Sequence, residues 1–370
     1  MRVLIISVTA GYGHYATAKA LEDELTSRGN EVVVEDLLKY ASPLLFEIVD
    51  HGYLFYTSRL PRNYRYTYTS FENHAALRKV ASAIARNIYG KNKYQRYFAG
   101  YMPDVILCTH PFPAIVLNDL KKRKKLDIPV IGIVTDYCIQ PFWEELVHIE
   151  NIIIASRLLS YAAIKKGIAE QKLLPLGIPV QPKYLHNQSQ AEAREALGLD
   201  PDKLTLLMMS GSMGYGNMAF LVRQILDLGF AMQIVCICGT NELLYQKLAD
   251  FQNVGNVHIH RFVDNVNTFM DAADCLVTKA GGLTVTEALA KSLPMILVNP
   301  IPGHEERNVE FLVNNGAAVK VSKTFSVAES IFYLFSNPQR LTNMKEAIRL
   351  IACPTATKDI CDYVENLSAH

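Results

Sequence analysis

Two stretches of this sequence concentrate residue types able to do chemistry. In the first, an apolar run at Cys275-Leu276-Val277 leads through Lys279 into Gly281-Gly282 and an amphipathic segment from Thr284 to Lys291. A strand that turns sharply into a helix exposes backbone N–H groups and the positive end of the helix dipole, which suits a phosphate, and glycines let it approach the main chain. Glu287 follows about one turn into that helix, placed to accept hydrogen bonds from ribose hydroxyls. A further strand at Pro294 to Val298 then delivers Pro302-Gly303-His304-Glu305-Glu306-Arg307-Asn308, which reads as a loop with more charge and hydrogen-bonding capacity than a connector needs. Strand-Gly-Gly-helix alone also serves close packing. Two successive units ending in ligand chemistry at one sheet edge point to a nucleotide-sugar site.

The second stretch is Gly11-Tyr12-Gly13-His14-Tyr15-Ala16, which follows a first strand and precedes Glu35 and Asp36 by about twenty residues. That spacing fits the dinucleotide fingerprint, so an NAD-dependent oxidoreductase is one reading. It puts an imidazole where a pyrophosphate would lie and leaves the PGHEERN stretch unexplained. A histidine at a helix N-terminus is disfavoured as imidazolium, so His14 is suited to act as a neutral general base; a plain helix cap is the bland alternative. Asp136 ends the apolar run through Val134 at the same sheet edge, where it could orient that imidazole, act on an acceptor or cap a loop. Gly211 lies in a Gly-rich loop, Ser210 to Gly216, that lacks the Lys-Ser/Thr of a Walker loop. Arg261-Phe262-Val263-Asp264 offers main-chain groups beside an aromatic to a flat base. Asp200-Pro201-Asp202, the only D-x-D, sits in a polar loop before a strand and reads as structural, so no metal ligand set is expected.

Positioning these residues takes two domains, the expectation for 370 residues of which half are hydrophobic. Buried-strand patterns alternate with helical ones from Arg2 to Leu176 and again from Leu204 to Val298, which predicts doubly wound parallel sheets. The Pro-rich stretch Gly177 to Gln190 marks the boundary, giving domains at 1–180 and 181–356, with a helix at about 357–370 that could cross back onto the first. Between Tyr40 and Tyr101 the rhythm breaks into what reads as helical insertions carrying ten of the nineteen tyrosines. Net charge is only +1, yet Lys39 to Lys125 holds fifteen Lys or Arg against five Asp or Glu, a local +10. Tyrosine and arginine on amphipathic helices suit an anionic lipid surface, whereas no recognised motif supports nucleic-acid binding. Seven cysteines without a CxxC pair read as reduced thiols of a cytosolic protein, and neither a signal peptide nor a membrane-spanning run is expected.

Taken in order and spacing, GYGH at Gly11 to His14, VTDYCIQPFW at Val134 to Trp143, LGIPV at Leu176 to Val180, KAGGLTVTEA at Lys279 to Ala288 and PGHEERN at Pro302 to Asn308 resemble the family of monogalactosyldiacylglycerol synthases and bacterial processive diacylglycerol glucosyltransferases, itself similar to the peptidoglycan N-acetylglucosaminyl transferase. The resemblance spans nearly the whole chain. It implies an α/β GT-B architecture, two Rossmann-like domains facing across a cleft, with the nucleotide sugar on the C-terminal domain and the acceptor on the N-terminal one. It also implies inversion at the anomeric carbon without a cofactor or required metal. Carried over by position, His14 matches the base, Phe262 and Val263 the uracil contact, Gly281, Gly282, Leu283 and Thr284 the diphosphate turn, Glu287 the ribose acceptor, and His304 with Glu305 the sugar-binding pair. Asp136 is kept as the second catalytic candidate and Gly211 as a further donor contact. Gly13, Tyr15, Arg59, Arg62, Arg65 and Trp143 are expected to meet the acceptor or the membrane. The family commonly has Gln where His304 stands and His where Gln140 stands.

The expected activity is transfer of glucose or galactose from a UDP-sugar donor to the 3-hydroxyl of diacylglycerol, at the cytoplasmic, inner face of an anionic cell membrane held peripherally. Transfer to a polyprenyl-type lipid and the NAD-dependent reaction are the competing expectations.

Overall fold

The computed structural model describes residues 1–8, 12–36, 60–88, 100–209, 217–254 and 256–367. By contact the chain divides into a unit of Met1–Pro182, Pro302–His304 and Cys353–His370 and a unit of Lys183–Ile301 and Glu305–Ala352.

In the first unit, β1 (Arg2–Ser7) and β3 (Val105–Cys108) are almost wholly apolar and buried, the pattern of parallel strands covered on both faces. Between them come α1 (Tyr12–Ser27), β2 (Glu31–Asp36) and a pair of helices, α2 (Pro61–Asn73) and α3 (Ala75–Ile88). The described part of the Tyr/Arg-rich insertion is thus helical, as its composition suggested. Next follow α4 (Pro111–Lys122), β4 (Val130–Ile133), β5 (Asn151–Ile153), α5 (Ser160–Lys165) and β6 (Leu173–Leu174). The six strands are parallel in the order β2-β1-β3-β4-β5-β6. Since β1 leads to β2 on one side while β3 lies on the other, the strand order reverses between β1 and β3. In such sheets a crevice opens there beyond the carboxyl ends of the strands.

The second unit repeats the plan. It runs through α6 (Gln190–Ala196), β7 (Leu204–Met209), α7 (Met218–Leu226), β8 (Met232–Ile237), α8 (Glu242–Ala249), β9 (Val257–His260), α9 (Val266–Ala272), β10 (Cys275–Thr278), α10 (Gly282–Ala290), β11 (Met295–Leu297), α11 (His304–Asn314), β12 (Ala318–Lys320), α12 (Val327–Phe335) and α13 (Pro338–Ile351). Its parallel order is β12-β11-β10-β7-β8-β9, with the reversal between β7 and β10.

Two features differ from expectation. The sequence gives no clear sign of β12, whose three residues include only one that is fully buried. The stretch from Pro302 to Asn308 is not a loop: it turns at Pro302-Gly303 and is helical from His304 onward, because Gly303 takes a left-handed φ of 92° that ends the turn and Glu305 and Glu306 favour a helix N-terminus.

The last helix, α14 (Ala356–Leu367), belongs to the first unit, where Ile360, Cys361 and Val364 join Val3, Ile5, Leu21, Leu25, Val105 and Leu107 in one core. Arg28, just past the end of α1, pairs with Asp362 and Glu365 at 2.5 and 3.0 Å, and Asn30 donates to Glu365 at 2.7 Å. No helix among the described residues is long and apolar enough to cross a membrane.

Candidate active site

The reversal point of the first sheet gathers His14 from the first turn of α1, Thr109 and His110 from the end of β3, and Thr135 and Asp136 from the end of β4. His14 Nδ1 lies 2.7 Å from the Thr109 carbonyl oxygen and 3.0 Å from Thr135 Oγ1. A carbonyl can only accept, so Nδ1 carries the proton and Nε2 keeps its lone pair. Burial lowers the pKa of this half-buried imidazole, opposed by the Asp136 carboxylate and the Thr109 carbonyl, which raise it; His304 lowers it further. His14 is therefore neutral and accepting near pH 7.

Asp136 does not orient the ring. Its carboxylate is buried and receives a short hydrogen bond from the Gln140 amide, while Thr109 and Thr135 hold the imidazole. Asp136 acts on His14 through charge. Thr109 is fixed in turn by its hydroxyl, which donates to Ser7 Oγ at 3.0 Å.

Sequence reasoning passed over His110. It caps α4, with Nδ1 accepting from the Phe112 N–H at 3.2 Å, and its ring meets that of His14 edge to face, centroids 4.8 Å apart. The signal was available: Thr109-His110-Pro111 follows an apolar strand directly, as His14 follows the first.

Trp143 is a correction. It is 1% exposed, and its ring lies so close over β4 that a Cβ on Gly132 would stand 2.4 Å from it. The indole fills the space that glycine leaves, so Trp143 is a core residue and meets neither acceptor nor membrane. Gly13 is half-buried, and Tyr15, Arg62 and Arg65 are exposed; Arg59 and Gly211 lie outside the described residues, as does Gly11.

In the second unit, α10 begins at the reversal point beside β7, with Gly281 as its N-cap and no side-chain cap bond. The first-turn amides of Gly282, Leu283 and Thr284 have no partner within the helix by construction and face an anion well. Two residues of α11 hold this turn, one helical turn apart on one face. Asn308, fully buried, donates to the Ala280 carbonyl at 2.8 Å. Glu305 accepts from the Ile301 N–H at 2.6 Å and lies 3.4 Å from Lys279 Nζ. Much of the hydrogen-bonding capacity of PGHEERN is thus spent on shaping the turn. His304 and Glu305 fall in different units.

Glu287 is buried, and burial pushes its pKa up to about 7 against the Tyr184 hydroxyl and the Lys183 charge, both of which lower it. Lys183 Nζ also donates to the Asp264 carbonyl at 2.7 Å, which ties the stretch beside Glu287 to the Arg261–Asp264 loop. In that loop Phe262 is 57% exposed and Val263 half-buried, while Arg261 is anchored by two 2.9 Å bonds to Glu242 and by stacking 3.7 Å over Tyr245. An exposed ring on an anchored loop is a surface on which a flat base can lie. Lys183 and Tyr184 were read only as linker. Asp200 and Asp202 form a local turn, the Asp200 carboxylate accepting from the Asp202 N–H at 3.0 Å and pairing with Lys203 at 3.1 Å.

Comparison with known proteins matches residues 14–180 to the family described as monogalactosyldiacylglycerol (MGDG) synthase and residues 205–360 to the glycosyltransferase family 28 C-terminal domain. A processive diacylglycerol beta-glucosyltransferase of Bacillus pumilus is 28% identical over 98% of this chain and 94% of its own, and its Bacillus licheniformis counterpart is 29% identical with the same coverage. Over nearly its whole length the chain is similar to the processive diacylglycerol glucosyltransferases, and its first part to the monogalactosyldiacylglycerol synthases. Among solved structures, the chain resembles Acinetobacter baumannii MurG with a TM-score of 0.62 at 17% identity over 99% of both chains. It resembles the kitacinnamycin glycotransferase with a TM-score of 0.66 at 16% identity over 99% of this chain and 98% of that one. These likenesses establish the GT-B fold with its two Rossmann-like domains. The protein is a glycosyltransferase.

Proposed function

We propose that this chain transfers a hexose from a UDP-sugar to the 3-hydroxyl of diacylglycerol, with inversion and without a metal. The observation that carries the chemistry is the tautomer of His14. With Nδ1–H held by Thr109, Nε2 is the only imidazole lone pair, and it takes the hydroxyl proton as the acceptor oxygen bonds to the anomeric carbon and the bond to the diphosphate breaks. The departing UDP keeps that electron pair. Amides at the start of α10 meet its negative charge, which is the role a cation would otherwise fill. Glu287 accepts from the ribose, and Phe262 with Val263 receives the uracil. The full-length Bacillus relatives named as beta-glucosyltransferases favour glucose over galactose as the sugar and diacylglycerol over a polyprenyl lipid as the acceptor. Exposed Arg62, Arg65 and Tyr66, with Leu77, Val80 and Ile84, support peripheral attachment to an anionic membrane through α2 and α3.

The test is transfer from labelled UDP-glucose or UDP-galactose to diacylglycerol in vesicles, with and without a chelator, beside NAD and a polyprenyl phosphate as controls. Glucolipid should form in the presence of chelator, and His14→Ala should bind UDP normally yet turn over on the order of a hundredfold more slowly. Transfer only to the polyprenyl lipid, or tight NAD binding with no transfer, would replace this reading.

A further inference from the structure

His110 and His14 present opposite faces of the same chemistry. His14 gives its Nδ1 proton to Thr109 and is left with an accepting Nε2. His110 accepts at Nδ1 from the Phe112 N–H at 3.2 Å, so as a neutral ring it carries its proton on Nε2. Burial, together with the neighbouring His14, holds its pKa well below the ordinary histidine value, so the neutral form prevails. Among the described residues no protein acceptor meets that Nε2–H. The two half-buried rings touch, centroids 4.8 Å apart at 75°, and both stand at the reversal point of the sheet. The reversal point therefore brings together one imidazole whose free nitrogen accepts and one whose Nε2–H donates.

A molecule that fits carries a hydroxyl and, a few bonds away, an oxygen that only accepts. In diacylglycerol the hydroxyl gives its proton to His14, and the ester on the adjacent carbon supplies a carbonyl oxygen. Donation to the hydroxyl oxygen itself would engage the lone pair that must form the new glycosidic bond. We propose that His110 contacts the acceptor directly, its Nε2–H donating to the ester carbonyl beside the attacking hydroxyl, and so selects ester-linked over ether-linked glycerolipids. This rests on the acceptor reading given above.

The experiment compares kcat/KM for a 1,2-diacylglycerol and the matching 1,2-dialkylglycerol, in which the carbonyl oxygens are absent, using the full chain in the same mixed micelles. The wild-type protein should prefer the diester by about tenfold, the worth of one well-placed hydrogen bond. His110→Asn keeps an oxygen to cap the Phe112 N–H but withdraws the outer donor, and it should use both lipids at nearly the wild-type diether rate. His110→Gln returns an N–H near the Nε2 position and should recover most of the preference. UDP binding and melting temperature report whether each variant is folded. Equal use of diester and diether by the wild-type protein, or an undiminished preference in folded His110→Asn, overturns the inference while leaving the transferase reading standing. Transfer to neither lipid overturns the acceptor reading and this inference with it.

Discussion

In the proposed reaction His14 acts through whichever nitrogen lacks a proton, and its surroundings also set when that nitrogen is available. Burial lowers its pKa from 6.5, Asp136 and the Thr109 carbonyl raise it, His304 lowers it, and the adjoining His110 is neutral. A neutral base is needed, so kcat/KM should fall as pH drops through a pKa below 6.5. Asp136→Asn removes a charge that favours the imidazolium, so its acid limb should move to lower pH with activity above pH 7 largely kept. A pH–rate profile checks this; loss of activity at every pH would make Asp136 itself the proton acceptor. Glu287 moves the other way. Its carboxyl, raised from 4.5 to about 7, is partly protonated at neutral pH, and ribose hydroxyls favour the carboxylate. UDP binding at pH 6 to 7 should therefore release a proton, with affinity rising toward pH 7 and levelling above it. Calorimetry in buffers of different ionisation enthalpy measures that proton. Glu287→Gln should abolish the release, and Glu287→Ala should cost about 1.5–3 kcal/mol of UDP affinity. His14, Asp136 and Glu287 were legible because each stands where an apolar strand ends or a helix begins. Their partners were not: Thr109 and Thr135 lie 95 and 121 residues from His14, and only the sheet order makes them neighbours.

Among the elements, the parallel strands announced themselves as unbroken apolar runs, and the glycines at 281 and 282 announced α10. Short or charged elements did not. β12 buries too little to leave an apolar run, and the first turn of α11 looks like a loop because its acidic residues serve the helix dipole and the turn before α10 instead of a core. The C-terminal helix was legible as amphipathic, but its place against α1 depends on Arg28 finding Asp362 and Glu365 more than three hundred residues away. This helix is structural in a quantitative sense. Ile360 is fully buried in the first-unit core, so Ile360→Ala should destabilise that unit by about 2–5 kcal/mol, read from the midpoint of its denaturant transition. UDP affinity, which the proposed function assigns to the second unit, should be unchanged in the native variant.

For the molecule as a whole, positive charge concentrates in the first unit, with fifteen Lys or Arg against five Asp or Glu from Lys39 to Lys125. Exposed Arg62 and Arg65 on α2 accompany Tyr66, while Leu77, Val80 and Ile84 stand exposed on α3. Each cation near an anionic surface contributes about 1 kcal/mol and is screened by salt. Vesicle sedimentation should increase with anionic lipid and weaken at high salt, and Arg62→Ser with Arg65→Ser should lose part of it without affecting UDP binding. Equal binding to neutral and anionic vesicles would reduce this surface to a solvated face. The return of α14 bears on how the protein is made. Residues 183–352 separate the two parts of the first core, and at ribosomal speeds of 5–20 residues per second they take about 10–35 s to synthesise. Throughout that interval the apolar groove awaiting Ile360 and Val364 is open on the nascent chain, while the second unit can fold first. Biogenesis thus runs against chain order, the first unit being completed only when α14 emerges.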